Sequence, residues 1–167
     1  MSSQPCFEDG VTRLEDLQAL GLVPTPEIVE RRYPVAVSEC IQEIPCNSCV
    51  LACKLNAITM KNINDIPIVD FNRCNGCGAC LRVCPGLALF MVHAKGEKGF
   101  VTFQYELLPT PQVGEEVEGL DRRGETVTTA KVVRIFPPER NDGTALLTVE
   151  VSKNFVMDVR AIKTVKK

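Results

Sequence analysis

Residues 74–85 read Cys-Asn-Gly-Cys-Gly-Ala-Cys-Leu-Arg-Val-Cys-Pro, so four cysteines follow the spacing C-x2-C-x2-C-x3-C-P. This spacing is typical of thiolates that hold a [4Fe–4S] cluster, with the fourth cysteine ligating a second cluster. Three thiolates so close together can surround one face of a cube only where the backbone turns tightly, and Gly76 and Gly78 permit such a turn. The alternative is a zinc site or buried structural thiols, but zinc sites usually place their cysteines in two separated pairs. The segment therefore predicts an iron–sulfur site.

A related pattern occurs earlier in the chain, at a fixed offset. The aligned cysteines are Cys46 with Cys77, Cys49 with Cys80, and Cys53 with Cys84. A short β-like run precedes each copy, at 34–37 and at 66–69. This repeat of strand, cysteine loop and short helix predicts two halves related by a pseudo-twofold axis.

The first motif is less regular than the second. Five residues separate Cys40 from Cys46, and Lys54 stands where the second motif has Pro85. A [2Fe–2S] site is the competitor, but its C-x4-C-x2-C spacing differs by one residue, and the repeat favours a second [4Fe–4S] cluster. With crossed ligation, the sequence predicts two sets of four ligands. The first set is Cys40, Cys46, Cys49 and Cys84, and the second set is Cys74, Cys77, Cys80 and Cys53.

Three further residues are candidates for a role near the clusters. Cys6 has no partner at a matching spacing, so it is predicted to be a free thiol. His93 is the sole histidine, and a surface or core role is favoured over tuning of a cluster. Lys54 either raises a cluster potential through its charge or is a solvated lysine.

The N-terminal part, residues 1–33, is predicted to form a strap of two short helices. Thr12 and Glu15 are spaced as a capping box, and Thr25 followed by Pro26 marks a second helix start. Two such short helices cannot bury a core by themselves. The favoured interpretation is a strap packed on the neighbouring part of the same chain, and the alternative is a surface that docks on another subunit.

The C-terminal part, residues 99–167, is predicted to be β-rich. The segments 113–120 and 125–136 flank a short loop that ends in glycine, which predicts a hairpin. Further strands are predicted at 100–105, 144–151 and 156–165. So many short strands in so short a segment predict a small closed or half-closed barrel.

Composition limits the function classes. The chain has 167 residues, nine cysteines and a net charge of −2, which argues against a strong nucleic-acid or anionic-membrane binder. No apolar run approaches the roughly 20 residues of a membrane span. The N-terminus has neither a basic region nor an apolar stretch, so no signal peptide is expected and the cytoplasm is predicted. In a reducing compartment the cysteines indicate metal rather than disulfides.

Residues 34–91 resemble the two-cluster bacterial ferredoxin fold. The stretch 35–49 is similar to ferredoxin-like subunits of FAD-dependent amino-acid and amine dehydrogenases (proline, hydroxyproline and sarcosine-oxidase-like), which also accompany 2-hydroxyacid and glycerol-3-phosphate dehydrogenase-like flavoproteins. Ser48 and Lys54 depart from the prolines frequent in that group, which affects the subfamily but not the cluster type. The resemblance implies an α+β fold with a ferredoxin-like domain at 34–95, between the strap at 1–33 and the barrel at 99–167.

The sequence shows no nucleophile–base pair, no Gly-rich nucleotide loop and no group of catalytic carboxylates, so catalysis by this chain is not expected. We expect an electron-transfer subunit with two [4Fe–4S] clusters, while FAD or FMN is bound by the partner dehydrogenase only. An external acceptor would complete the path. The alternative is a free two-cluster ferredoxin. All predicted ligands precede Lys95, so a chain ending there is expected to keep both clusters, and the C-terminal part is expected to dock on the partner.

Overall fold

The computed structural model describes residues 9–141 and 143–164 of the chain. The helices within these residues are short. They are α1 (Leu14–Ala19), α2 (Pro26–Val29), α3 (Ser48–Ala52) and α4 (Ala79–Arg82). The strands are β1 (Val35–Ser38), β2 (Ile58–Thr59), β3 (Ile68–Val69), β4 (Leu89–Lys95), β5 (Lys98–Tyr105), β6 (Glu116–Leu120), β7 (Thr126–Phe136), β8 (Ala145–Ser152) and β9 (Ala161–Thr164). No helix in the described part of the chain is long and apolar enough to cross a membrane.

The N-terminal helices pack against the rest of the chain. Leu17, Leu22 and Val29 are at most 5% exposed, so the favoured interpretation of a strap packed within the chain agrees with the structure. α2 begins at Pro26 after Thr25, as predicted. α1 begins one residue later than predicted. Asp16, rather than Glu15, stands three residues after the Arg13 cap and accepts a hydrogen bond from its backbone N–H at 3.3 Å.

Seven strands form one antiparallel sheet in the order β1-β4-β5-β8-β7-β6-β9, and β2 pairs with β3 separately. The predicted hairpin around residues 121–124 is confirmed as β6 and β7. The closed barrel predicted for 99–167 is wrong, because the sheet is open in the described residues. Strand β4 supplies β5 with a partner from the cysteine-containing part, so the C-terminal strands continue a sheet instead of closing on themselves.

Strand pairing in the cysteine-containing part is reciprocal. β1, which precedes the first motif, pairs with β4, which follows the second. β2, which follows the first motif, pairs with β3, which precedes the second. The pseudo-twofold repeat and the domain boundaries at 33 and 95 remain predictions, and strands from both sides of residue 95 share the large sheet.

The two faces of the large sheet serve different purposes, because successive side chains of a strand point to opposite faces. One face holds the main core, whose fully buried members include Val35, Val37, Val92, Val101, Leu147 and Val149. The other face contacts the cysteine loops through a second core. Its members include Ala36, Leu89, Met91 and Leu146 from the sheet, and Cys49, Cys80 and Leu81 from the loops and helices.

A buried ion-pair group joins the two edge strands of the sheet at one end. Glu39 follows β1, Arg160 precedes β9, and Arg122 lies in the turn between β6 and β7. Glu39 Oε1 lies 2.6 Å from Arg160 Nε and 2.7 Å from Arg122 Nη2. The three side chains are 8%, 4% and 11% exposed. The sheet therefore curves until its edges approach, although it stays open.

The last predicted strand is shorter than expected. β9 starts at Ala161, whereas the prediction placed the strand start at residue 156. A 3-10 turn at Lys153–Phe155 precedes it, and the Arg160 guanidinium donates to the Val156 and Val159 carbonyls. These bonds use the backbone groups of 156–160 for a turn, which is incompatible with an extended strand.

Candidate iron–sulfur sites

Eight of the nine cysteines lie in loops and short helices on one face of the large sheet, and Cys6 lies outside the described residues. Helices α3 and α4 carry one cysteine each in their bodies, Cys49 and Cys80, and both of these are buried. The remaining six predicted ligands lie in the segments that flank the two helices, because cysteine spacings of two and three residues do not fit a continuous helix.

The first predicted ligand set lines a single cavity. Cys40, Cys46, Cys49 and Cys84 all face a space of about 30 Å³, so a cysteine from the second motif joins three from the first. The backbone N–H of Cys46 donates to the Ile63 carbonyl at 3.1 Å, which fixes the loop that carries it. The Ser48 hydroxyl lies 3.8 Å from the Cys46 sulfur, so Ser48 is placed to tune this site.

The second predicted ligand set lines a larger cavity of about 420 Å³. Its cysteines are Cys53, Cys74, Cys77 and Cys80, so here one cysteine of the first motif joins three of the second. Two backbone amides donate to the sulfurs: Ala36 N–H to Cys74 at 3.4 Å and Ala57 N–H to Cys53 at 3.2 Å. Such bonds to ligand sulfurs help set the reduction potential of a cluster.

The turn glycines have the backbone conformation that the spacing predicts. Gly76 and Gly78 have φ values of +75° and +72°, in the left-handed region that favours glycine. A Cβ on Gly76 would lie 2.6 Å from the Pro34 carbonyl oxygen. The second motif therefore lies directly against the backbone that leads into β1, and only a residue without a side chain fits there.

Three of the thiols have raised pKa values. Burial, followed by the neighbouring Cys84 and Cys46, raises the pKa of Cys40. Burial is also the main cause for Cys49, whose pKa is about 11, and for Cys80, whose pKa is about 12. Without a bound cation these thiols hold their protons at neutral pH. Ligation requires the thiolate, so a bound metal must displace these protons.

The donor sets fit a multi-iron cluster better than a single ion. Among the described residues, no three His, Cys, Asp or Glu side chains converge closely enough to hold one metal ion. Each set of four thiols surrounds a cavity instead. A [4Fe–4S] cube suits this arrangement because it distributes four thiolate bonds over separate irons. Such a cluster, when bound, takes up and releases single electrons.

Three residues outside the motifs hold the ligand segments in place. The Arg31 guanidinium donates to the Cys74 carbonyl at 2.7 Å and to the Phe71 carbonyl. Gln104 Nε2 donates to the Cys84 carbonyl at 3.0 Å. Glu39, in its ion-pair group, directly precedes Cys40. Sequence reasoning missed all three, because no local spacing links them to the cysteines they support.

The lone histidine has a structural position. His93 Nε2 lies 2.9 Å from the Arg31 carbonyl oxygen, and its ring stacks on Phe100 with 6.1 Å between centroids. It lines neither cysteine cavity. Lys54, in contrast, lines the second cavity beside Cys53, so its charge lies close to the second ligand set.

Comparison with known proteins supports the cluster type. Residues 39–88 match the family described as 4Fe-4S dicluster domain. The chain is 41% identical over 54 residues to the ferredoxin-type protein NapF of Haemophilus influenzae, covering 30% of this chain and 31% of that protein. It is 45% identical over 49 residues to a tetrathionate reductase subunit of Archaeoglobus fulgidus, covering 29% and 23%. The chain thus spans a third or less of these relatives, and no solved structure matches it.

Residues 39–88 are therefore a 4Fe–4S dicluster domain of ferredoxin type, and the chemistry it supports is iron–sulfur electron transfer. The names of these two relatives do not mention a flavin dehydrogenase. That part of the sequence-based resemblance stays a prediction.

Proposed function

We propose that this chain is an electron-transfer subunit that passes electrons through two [4Fe–4S] clusters between a partner oxidoreductase and a second acceptor. The observation that carries the proposal is the pair of cavities, each lined by four cysteines drawn from both motifs. Since each motif contributes one cysteine to the other motif's cavity, the two clusters would lie side by side. Electron transfer between centres is short-range, so this arrangement suits passage of electrons from one cluster to the next.

Metal analysis of the native protein tests this proposal directly. Protein prepared without oxygen should contain about eight iron atoms and eight labile sulfides per chain, as two cubane clusters require. Electron paramagnetic resonance of the reduced protein should show two interacting centres. Zinc in place of iron in anaerobic native protein, or iron sufficient for only one cluster, would refute the proposal.

For the partner we propose a flavin-containing dehydrogenase, as the sequence-based resemblance implies. Support for a partner enzyme of some kind comes from the second relative, which is named as one component of a reductase. Purification of the native protein separates the possibilities. A larger co-purifying protein that carries flavin supports the proposal, a partner without flavin refutes its flavin component, and a lone monomer favours the free ferredoxin. We propose the cytoplasm as the location, since iron-bound thiols suit a reducing compartment.

A further inference from the structure

The surroundings of the two cysteine cavities differ in charge. The first cavity is lined by a single charged side chain, the acid Asp65. The second is lined by a single charged side chain of opposite sign, Lys54. A neighbouring groove of about 120 Å³ shares Cys77 with the second cavity and adds Arg82 and Arg134. Among the described residues, no acidic side chain lines this second cavity or the groove.

We call Lys54, Arg82 and Arg134 the basic rim. The basic rim surrounds Cys77, which is the exposed member of the eight cysteines that the structure describes. An electron leaving or entering the second ligand set at Cys77 therefore passes through a positively charged surface.

The basic rim is held in position but is not neutralised. The Arg82 guanidinium lies 4.3 Å from the centroid of the Phe136 ring, a cation–π contact that fixes it against β7. Arg134 lies on the same strand, two residues before Phe136. Within residues 9–141 and 143–164, no acid lies within ion-pair distance of the three basic-rim side chains. Asp70, the acid closest to the second motif in sequence, accepts hydrogen bonds from nearby backbone amides.

The shape of this surface favours a protein as its ligand. Small-molecule pockets usually enclose about 300–1,000 Å³, whereas the groove between Arg82 and Arg134 holds about 120 Å³. The larger cavity beside it is the one that the four cysteines line. What remains is an exposed, charged surface around a redox-active position, which can be covered by the surface of another protein.

We infer that the basic rim is the docking surface for an acidic redox protein that exchanges electrons with the second cluster. This inference rests on the proposed electron-transfer function and adds the chemistry of one partner. Complementary charges speed the encounter of two proteins and orient them. The first cavity, with Asp65 and no basic side chain, presents a different surface, so electrons enter and leave the protein at faces of different charge.

The test uses two small oxidants of opposite charge. The complete protein is reduced anaerobically with dithionite, and its oxidation is followed by stopped-flow absorbance. One probe is the trianion tris(oxalato)cobaltate(III), and the other is the trication hexaamminecobalt(III). Each accepts one electron, so Co(III) becomes Co(II) while one reduced [4Fe–4S]⁺ cluster returns to [4Fe–4S]²⁺.

The variant Arg82→Glu/Arg134→Glu reverses two charges of the basic rim, and Lys95→Glu/Arg123→Glu reverses two exposed charges elsewhere. We expect the first variant to slow the anionic probe about tenfold or more and to speed the cationic probe. The control should change either rate less than about twofold. The milder Arg82→Gln/Arg134→Gln keeps the test valid if the glutamates reduce the iron content. Equal effects of the rim and control variants would overturn the inference.

A peptide of twenty glutamates serves as the model of an acidic protein surface. It should slow oxidation of the unmodified protein by the anionic probe at low salt, and it should have no effect on the Arg82→Glu/Arg134→Glu variant. Sensitivity to the cobalt anion without any effect of the peptide would mean a small-anion site and would refute protein docking. If the protein held no clusters, the proposed function would fail and no oxidation would be seen. Binding of the peptide, followed by NMR on the same protein, would still decide whether the basic rim binds acidic chains.

Discussion

Glu39 connects the ligand of one cluster to the far end of the chain. Its carboxylate contacts Arg122 and Arg160, and the next residue is the predicted ligand Cys40. Burial raises the pKa of Glu39, but Arg160 and Arg122 lower it by more, so its pKa lies below the ordinary value and the group is ionised at neutral pH. Two buried cations therefore depend on one carboxylate.

We expect Glu39→Gln to destabilise the protein by about 3–5 kcal/mol, since removing one partner leaves buried charge unpaired. Denaturant unfolding at neutral pH measures this loss, with iron content checked in parallel. The matched control is Glu150→Gln, whose partner Lys98 is 63% exposed and whose ion pair should contribute less than about 1 kcal/mol. Equal stability of the two variants would contradict a structural role for the buried group.

Ligand substitutions should separate the two sets. Cys46→Ser should damage the cluster in the first cavity, and Cys77→Ser should damage the cluster in the second, because each cysteine lines only one of the two. Cys6→Ser is the control and should spare both. Iron content and the paramagnetic resonance spectra of the reduced variants measure the result. Loss of a whole cluster from the Cys6 variant would show that the ligand assignment is wrong.

Iron retention should depend on pH through the thiols. Cys49 and Cys80, with pKa values of about 11 and 12 in the metal-free chain, hold protons throughout the neutral range. Binding the cluster displaces these protons, so affinity should rise as pH rises. Anaerobic competition with an iron chelator from pH 6 to pH 8, corrected for protonation of the chelator, measures this dependence. A pH-independent affinity would show that the thiols are already ionised before they bind.

The loop of the second motif offers a pair of glycines that separates two physical effects. Both have positive φ, but a Cβ on Gly76 would contact the Pro34 carbonyl, whereas a Cβ on Gly78 would have nothing within 4 Å. Gly78→Ala should cost about 1–2 kcal/mol from the left-handed backbone alone. Gly76→Ala should cost more and should reduce the iron content of the second cluster. If the two variants behave alike in unfolding and iron analysis, the close approach to Pro34 has no energetic importance.

The elements differ in how well the sequence predicts them. The cysteine loops and their turn glycines were predictable because short spacing encodes their geometry. Strand β4 was not, since six of its seven residues are apolar or partly apolar on both faces and show no period-two alternation. Residues that support the ligands were also missed. Gln104 is 20 residues from Cys84, and Arg31 is 43 residues from Cys74, so no local pattern connects them.

For the whole molecule, the structure reverses the expectation that a chain ending at Lys95 keeps both clusters. Such a chain would lose β5 as the partner of β4, both arginine partners of Glu39, and the bond from Gln104 to Cys84. Two of these losses affect segments that carry ligands of the first set. We therefore expect the shortened protein to hold about four iron atoms or fewer.

Iron and sulfide analysis of the shortened and complete proteins, prepared in parallel without oxygen, measures this. The complete chain with Lys95→Glu is a control for a change at the same position that leaves the sheet intact. Eight irons and an unchanged paramagnetic resonance spectrum in the shortened protein would show that residues up to 95 fold alone.

The ion-pair group around Glu39 also has a consequence for biosynthesis. Glu39 and Arg160 are 121 residues apart, which corresponds to roughly 6–24 s of translation at about 5–20 residues per second. During that interval Cys40 has left the ribosome, while the arginine that holds its neighbour has not been made. The first cluster should therefore be inserted only after translation is nearly finished, and pulse-labelled nascent chains lacking Arg160 should carry little iron at that site. Cells that make this protein must keep its early cysteines reduced and unmetallated for that interval.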